Sequence, residues 1–124
     1  MKFTDGYWML QPGVEALRAR HVEMVDATDS ELTAYVAIAP QSTRGNTLNM
    51  PQLTATFSSP MPDVIGVKLE HYQGRVDPGP HFELFGSETA IETAGTAQAG
   101  EVAKLTSGNL SVEIPVGGPW NTRF

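Results

Sequence analysis

An all-β fold, an antiparallel β-sandwich, is what this chain predicts, on three observations. Turn-forming residues recur at short, fairly regular intervals: Pro12-Gly13, residues 26–30, 40–46, 58–63, 74–80, Gly86-Ser87, 95–100, 107–109 and 117–119. Between these breaks lie strand-length runs whose apolar residues alternate with polar ones. The nine prolines fall almost entirely at the breaks, where no ladder hydrogen bond is lost. A length of 124 residues allows one domain, or part of one.

The individual runs follow in chain order. Val14, Leu17, His21, Met24 and Val25 fall at helical spacing in a stretch rich in helix formers. A strand is preferred there, because a hairpin spanning residues 16–39 also accounts for the turn-like residues 26–30. Leu32, Ala34, Val36 and Ile38 then alternate with Thr33, Tyr35 and Ala37, and Leu53, Ala55 and Phe57 alternate with Thr54, Thr56 and Ser58. Ile65, Val67 and Leu69 point one way, with His71 continuing that inward register, while Lys68, Glu70 and Tyr72 point the other. After the Gly/Pro cluster at 74–80 comes a short aromatic strand with Phe82 and Leu84. Residues 89–100, rich in Ala, Thr and Gly, read as a strand end and a loose loop. Leu110, Val112 and Ile114 form another alternating strand, residues 116–119 a turn, and residues 120–124 a last strand.

Charge and composition exclude several functions. Eight basic against fourteen acidic residues give a net charge of −6, and the cations are scattered. Nucleic acid and anionic membrane surfaces are therefore poor partners, since both demand concentrated positive charge. With no cysteine there is no disulfide, thiolate nucleophile or Cys-based metal site. Neither a signal-peptide-like apolar run nor a membrane-length one occurs, so a cytoplasmic protein is expected. Asn109-Leu110-Ser111 fits a glycosylation sequon, which matters only in a secretory pathway.

Two motifs carry more. The run Ile65-Gly66-Val67-Lys68-Leu69-Glu70-His71-Tyr72-Gln73-Gly74, leaving through Gly79-Pro80-His81-Phe82-Glu83-Leu84, resembles the N-terminal β-sandwich of glycoside hydrolase family 31, especially its bacterial α-xylosidases. The opening Lys2-Phe3-Thr4-Asp5-Gly6-Tyr7-Trp8-Met9-Leu10-Gln11-Pro12-Gly13 is similar to the first strand of those enzymes, near K-x-x-D-G-x-W-x-x-Q-P-G. The likeness is close at these two motifs, looser at residues 53–60 and 107–124, weak across 14–49 and absent over 89–100. It implies a galactose mutarotase-like supersandwich, incomplete here, with residues 1–124 as the N-terminal domain or its first part. The parent would release α-linked xylose, or act on α-glucosides, and would need no cofactor. Its catalytic (β/α)8 barrel, absent from this chain, would be the partner of the sandwich, and oligosaccharide would be met only through that parent. Homo-oligomers are also implied.

Candidate residues follow from this chemistry. Retaining glycosidases pair two carboxyl groups about 5–5.5 Å apart, but a barrel bearing them needs about 250 residues. No catalytic, cofactor-binding or metal-binding residue is assigned. Asp77 and Glu70 are the acids nearest the informative motif, and read more simply as a turn former and a solvated strand residue. His21, His71 and His81 match no compact metal-ligand spacing. Sugar stacking would use exposed rings, with Trp8, Tyr72, Phe82 and Trp120 available, although large rings in a small β domain more often serve core or interface. Trp8, His71, Tyr72 and Phe82 are the residues expected to contact a sugar or the barrel. The competing expectation is a stand-alone carbohydrate-binding or oligomerisation module.

Overall fold

The computed structural model describes residues 9–48, 50–71 and 94–124. They form two antiparallel sheets. The first has β1 (His21–Ala27), β2 (Glu31–Ala37), β3 (Gln52–Met61) and β4 (Val64–Glu70). The second is β5 (Ala94–Ala99), β6 (Val102–Ser107) and β7 (Leu110–Pro115), and the two-residue β8 (Gly118–Pro119) returns to the first sheet beside β1. The antiparallel sandwich read from the sequence is the fold, and a single turn of 3-10 helix at Arg44–Thr47 is the only helical element among the described residues.

Alternation in sequence becomes one buried face per strand. Val36, Ala34 and Leu32 of β2 lie beside Leu53, Ala55 and Phe57 of β3, and opposite them pack Ala103 and Leu105 of β6 with Val112 and Ile114 of β7. In β1 the register shifts between Val22 and Met24, so Val22 and Val25 both turn inward while Met24 is exposed. That bulge places apolar residues three apart, which is why the stretch mimics a helix. The strand expectation holds from His21 onward, and the hairpin with β2 is formed.

The second sheet lies across one end of the first. The Thr96 hydroxyl donates to the Thr28 carbonyl at the β1–β2 turn. Ser107 joins Ser59 (2.7 Å) and the Met61 carbonyl (3.1 Å), and the Asn109 N–H donates to the Asp63 carboxylate in the β3–β4 turn. From that end β7 runs away toward Gly118 and Pro119, which pair with Val22 and His21 at the opposite end of β1. The layers therefore cross, with β7 running from the β3–β4 turn to the start of β1. This leaves the β4 corner of the first sheet bare: Val67 and Leu69 stand opposite Phe57 and Ala55, hence on the core face, yet both are exposed.

Several expectations need correction. Residues 94–99, read as loop, form β5, because an exposed strand held by its pairing with β6 needs no apolar alternation of its own. Gly118 and Pro119, read as turn, pair with β1. Residues 120–124 make only one isolated bridge, Glu113 to Arg123, rather than a strand. The break expected from residue 58 is displaced: β3 continues through Pro60 to Met61, across a register irregularity that spares the ladder a missing N–H. His71 lies just past the end of β4 and is exposed, like Val67 and Leu69 before it. The strand expected at Phe82 and Leu84 lies outside the described residues.

Gly108, between β6 and β7, has φ +59°, and a Cβ there would lie 2.9 Å from Asp63 Cγ and 3.1 Å from Asp63 N. Gly108→Ala should therefore cost about 1–2 kcal/mol from the left-handed backbone alone. Thermal denaturation should show Tm lowered by roughly 5–10 °C. Coincident melting curves would mean that this turn relaxes without cost.

Candidate functional site

Past the end of β4, at His71, lies a cavity of about 340 Å³. Its floor is Val36, Ile38 and Leu53, since Val36 and Leu53 are register partners on the core face. Leu17 and Ala19, from the segment leading into β1, form a wall. Glu15, Gln52 and His71 supply the polar groups of its lining. This arrangement can hold an apolar body and hydrogen-bond its edge. Among the described residues no Phe, Tyr or Trp lines it, so the stacking platform that sugar C–H faces favour is not built from those residues.

A second cavity of about 280 Å³ lies between the ends of β6 and β7 and the C-terminal segment. Val102, Pro115 and Pro119 make it partly apolar, and Glu113, Asn121 and Arg123 bring polar groups. Glu113 is already engaged, with Oε1 3.2 Å from Lys104 Nζ.

The remaining charged side chains act locally. Glu23 Oε1 lies 3.0 Å from His21 Nδ1 and accepts the Gln41 N–H at 3.0 Å, tying the start of β1 to the loop after β2. Glu70, one of the acids singled out by sequence, pairs with Lys68 at 3.0 Å on the outer face of β4. The Asp26 carboxylate beside Tyr35 accepts from its phenol and pushes that group's ionisation above the usual tyrosine range. No three His, Asp or Glu side chains among the described residues converge as a metal site would require. Nor is any helix among them long and apolar enough to cross a membrane.

Of the residues expected to contact sugar or barrel, the structure places His71 at the larger cavity, while Trp8, Tyr72 and Phe82 lie outside the described residues. Asp77 and His81 lie outside them too. Trp120 is half-buried, its ring centroid 6.4 Å from that of Phe57 at 44°, so it belongs to the core margin rather than to a platform. Glu15, Gln52, Asn121 and Arg123 are cavity residues that sequence reasoning did not single out. Register and chain reversal bring them together, and no local spacing announces them.

No family profile matches the chain. Curated proteins do match, among them two alpha-xylosidases. An Alpha-xylosidase of Emericella nidulans is 37% identical over 116 residues, covering 94% of this chain and 14% of the relative. Alpha-xylosidase XylQ of Lactiplantibacillus pentosus is 32% identical, covering 100% of this chain and 16% of the relative. The chain thus spans about one-seventh of the length of these relatives. Along almost all of its own length, the chain is similar to one short part of two proteins named alpha-xylosidase.

Proposed function

We propose that the chain is the non-catalytic N-terminal β-sandwich of an α-xylosidase-like hydrolase of glycoside hydrolase family 31, acting in carbohydrate metabolism in the cytoplasm. Its part is to support the catalytic barrel of the same polypeptide and the rim of that barrel's active site. The observation that carries this reading is the pair of relatives, both named alpha-xylosidase, each matched by nearly the whole chain over a small fraction of its own length. The resemblance of the opening motif at Lys2–Gly13 and of the run from Ile65 to Leu84 supports that family and that position within it. The bare corner of the first sheet gives such a support a surface to use, and His71 is the described residue we assign to that contact.

Turnover separates support from catalysis. The chain alone should release no p-nitrophenol from p-nitrophenyl α-xyloside above a buffer blank, whereas the longer polypeptide should hydrolyse it. Turnover by the chain alone would overturn the proposal, as would a longer polypeptide inert on α-xylosides and α-glucosides.

A further inference from the structure

We infer that the outer edge of β7, from Leu110 to Val112, is a strand-docking site for polypeptide continuing beyond Phe124, antiparallel to β7 and in the register set by the Glu113–Arg123 pair. The inference rests on the reading of the chain as part of a longer protein.

The pairing has already begun. The Glu113 N–H donates to the Arg123 carbonyl at 2.9 Å and the Arg123 N–H to the Glu113 carbonyl at 3.0 Å, which is one complete hydrogen-bonded antiparallel pair. Toward the C-terminal end of β7 this ladder stops, because Pro115, two residues on, has no N–H to offer that edge. Toward the N-terminal end nothing of the kind intervenes. Backbone groups alternate between the two edges of a strand, so Ser111, two residues before Glu113, turns its N–H and C=O to the same side. Those groups would receive the second residue after Arg123.

The side chains point to the same occupant. Continuing the register sets Phe124 opposite Val112, and directly opposed residues share a face of the sheet. Val112 is buried in the core, whereas Phe124 is 70% exposed. Phe124 and every second residue after it would thus face the first sheet. β7 is the second-sheet strand that packs against β4, whose corner this sheet leaves bare, and among the described residues its outer edge pairs with Arg123 alone. There Val67 is 48% and Leu69 58% exposed, although both lie on the core face. A half-zipped edge and an uncovered apolar corner therefore call for one strand, apolar at alternate positions, where either alone would be only an edge or only a patch.

Amide hydrogen exchange at Ser111 tests this in the present chain and in the polypeptide continued past Phe124, with the Glu113 amide as internal reference. In the chain, Ser111 should exchange fast and independently of concentration while Glu113 is protected. In the longer polypeptide, Ser111 should slow by roughly a hundredfold or more. A second arm uses Ser111→Pro, which deletes only the outward donor: Tm should be unchanged in the chain and lowered in the longer protein. Equal exchange in both polypeptides would overturn the inference, and so would slowing with concentration in the chain alone, which would make a second copy the occupant. Hydrolysis of α-xylosides is scored separately. An active longer protein with unprotected Ser111 refutes the docking strand alone, and an inactive one with protected Ser111 refutes the hydrolase reading alone.

Discussion

Phe57→Ala should remove about 3–5 kcal/mol of stability, the usual range for truncating a buried phenylalanine. Phe57 is 1% exposed, stands between Leu32 on β2 and Val67 on β4, and meets the tilted ring of Trp120. A domain of this length holds on the order of 6–18 kcal/mol in total, so the variant forfeits a large share of what keeps the sheets together. In urea, with an m-value of about 1.5 kcal/mol/M, the midpoint should fall by roughly 2–3 M. Phe57→Leu keeps most of the volume and should lose less than about 1.5 kcal/mol. A loss below about 1 kcal/mol in the alanine variant would mean that the two sheets do not close over this side chain, and the packing described above would be wrong.

The parts of the fold that were legible in the sequence are those where burial and period coincide. β2, the first half of β3 and β7 each alternate at a period of two, because each has one face against the other sheet, and β4 alternates as well although Val67 and Leu69 on its core face are exposed. What failed to show in β5, β8 and β1 has a physical cause, whereas the alternation of Ala103 and Leu105 in β6 went unread. β5 is held by its pairing with β6 and is largely exposed, so selection for an apolar face left no trace in its Ala, Gly and Thr residues. β8 is two residues long and exists only because the chain changes sheets at Gly117 and Gly118, both with positive φ. In β1 the bulge breaks the period, so the same residues read equally as helix.

The candidate site was less legible, for a different reason. His71 was found because its motif resembles a known sandwich, not because of its surroundings. Its cavity neighbours come from three places far apart in the chain, with Glu15 before β1, Ile38 after β2 and Gln52 at the start of β3. Such a cavity is created by where the second sheet stops, and that is set by the crossing of the layers. No single run of residues encodes that crossing. It follows from the contacts that pin the second sheet to the turn end of the first, above all from the one polar side chain that is buried within the core face among the described residues.

That side chain is Ser107, fully buried at the end of β6 where the parity of Ala103 and Leu105 would lead one to expect an apolar residue. It donates to the Met61 carbonyl at 3.1 Å and, at 2.7 Å from Ser59 Oγ, accepts the hydroxyl of Ser59. One small polar group thus serves the backbone and a side chain of β3, the strand it crosses, at the place where the β3–β4 register is irregular. Ser107→Val should cost about 1–3 kcal/mol, because the Met61 carbonyl and the Ser59 hydroxyl each lose the partner that Ser107 supplies from the core. Ser107→Ala and Ser59→Ala together should lose less than the sum of the two single variants, with a coupling of about 0.5–3 kcal/mol measured by equilibrium urea unfolding of all four proteins. Strict additivity would mean that the two hydroxyls do not meet, and the second sheet would then need some other anchor against the first. A stabilised Ser107→Val would go further and show that this end of the core is packed by apolar contact alone, leaving the crossing of the layers without the tie that now accounts for the open corner beside His71.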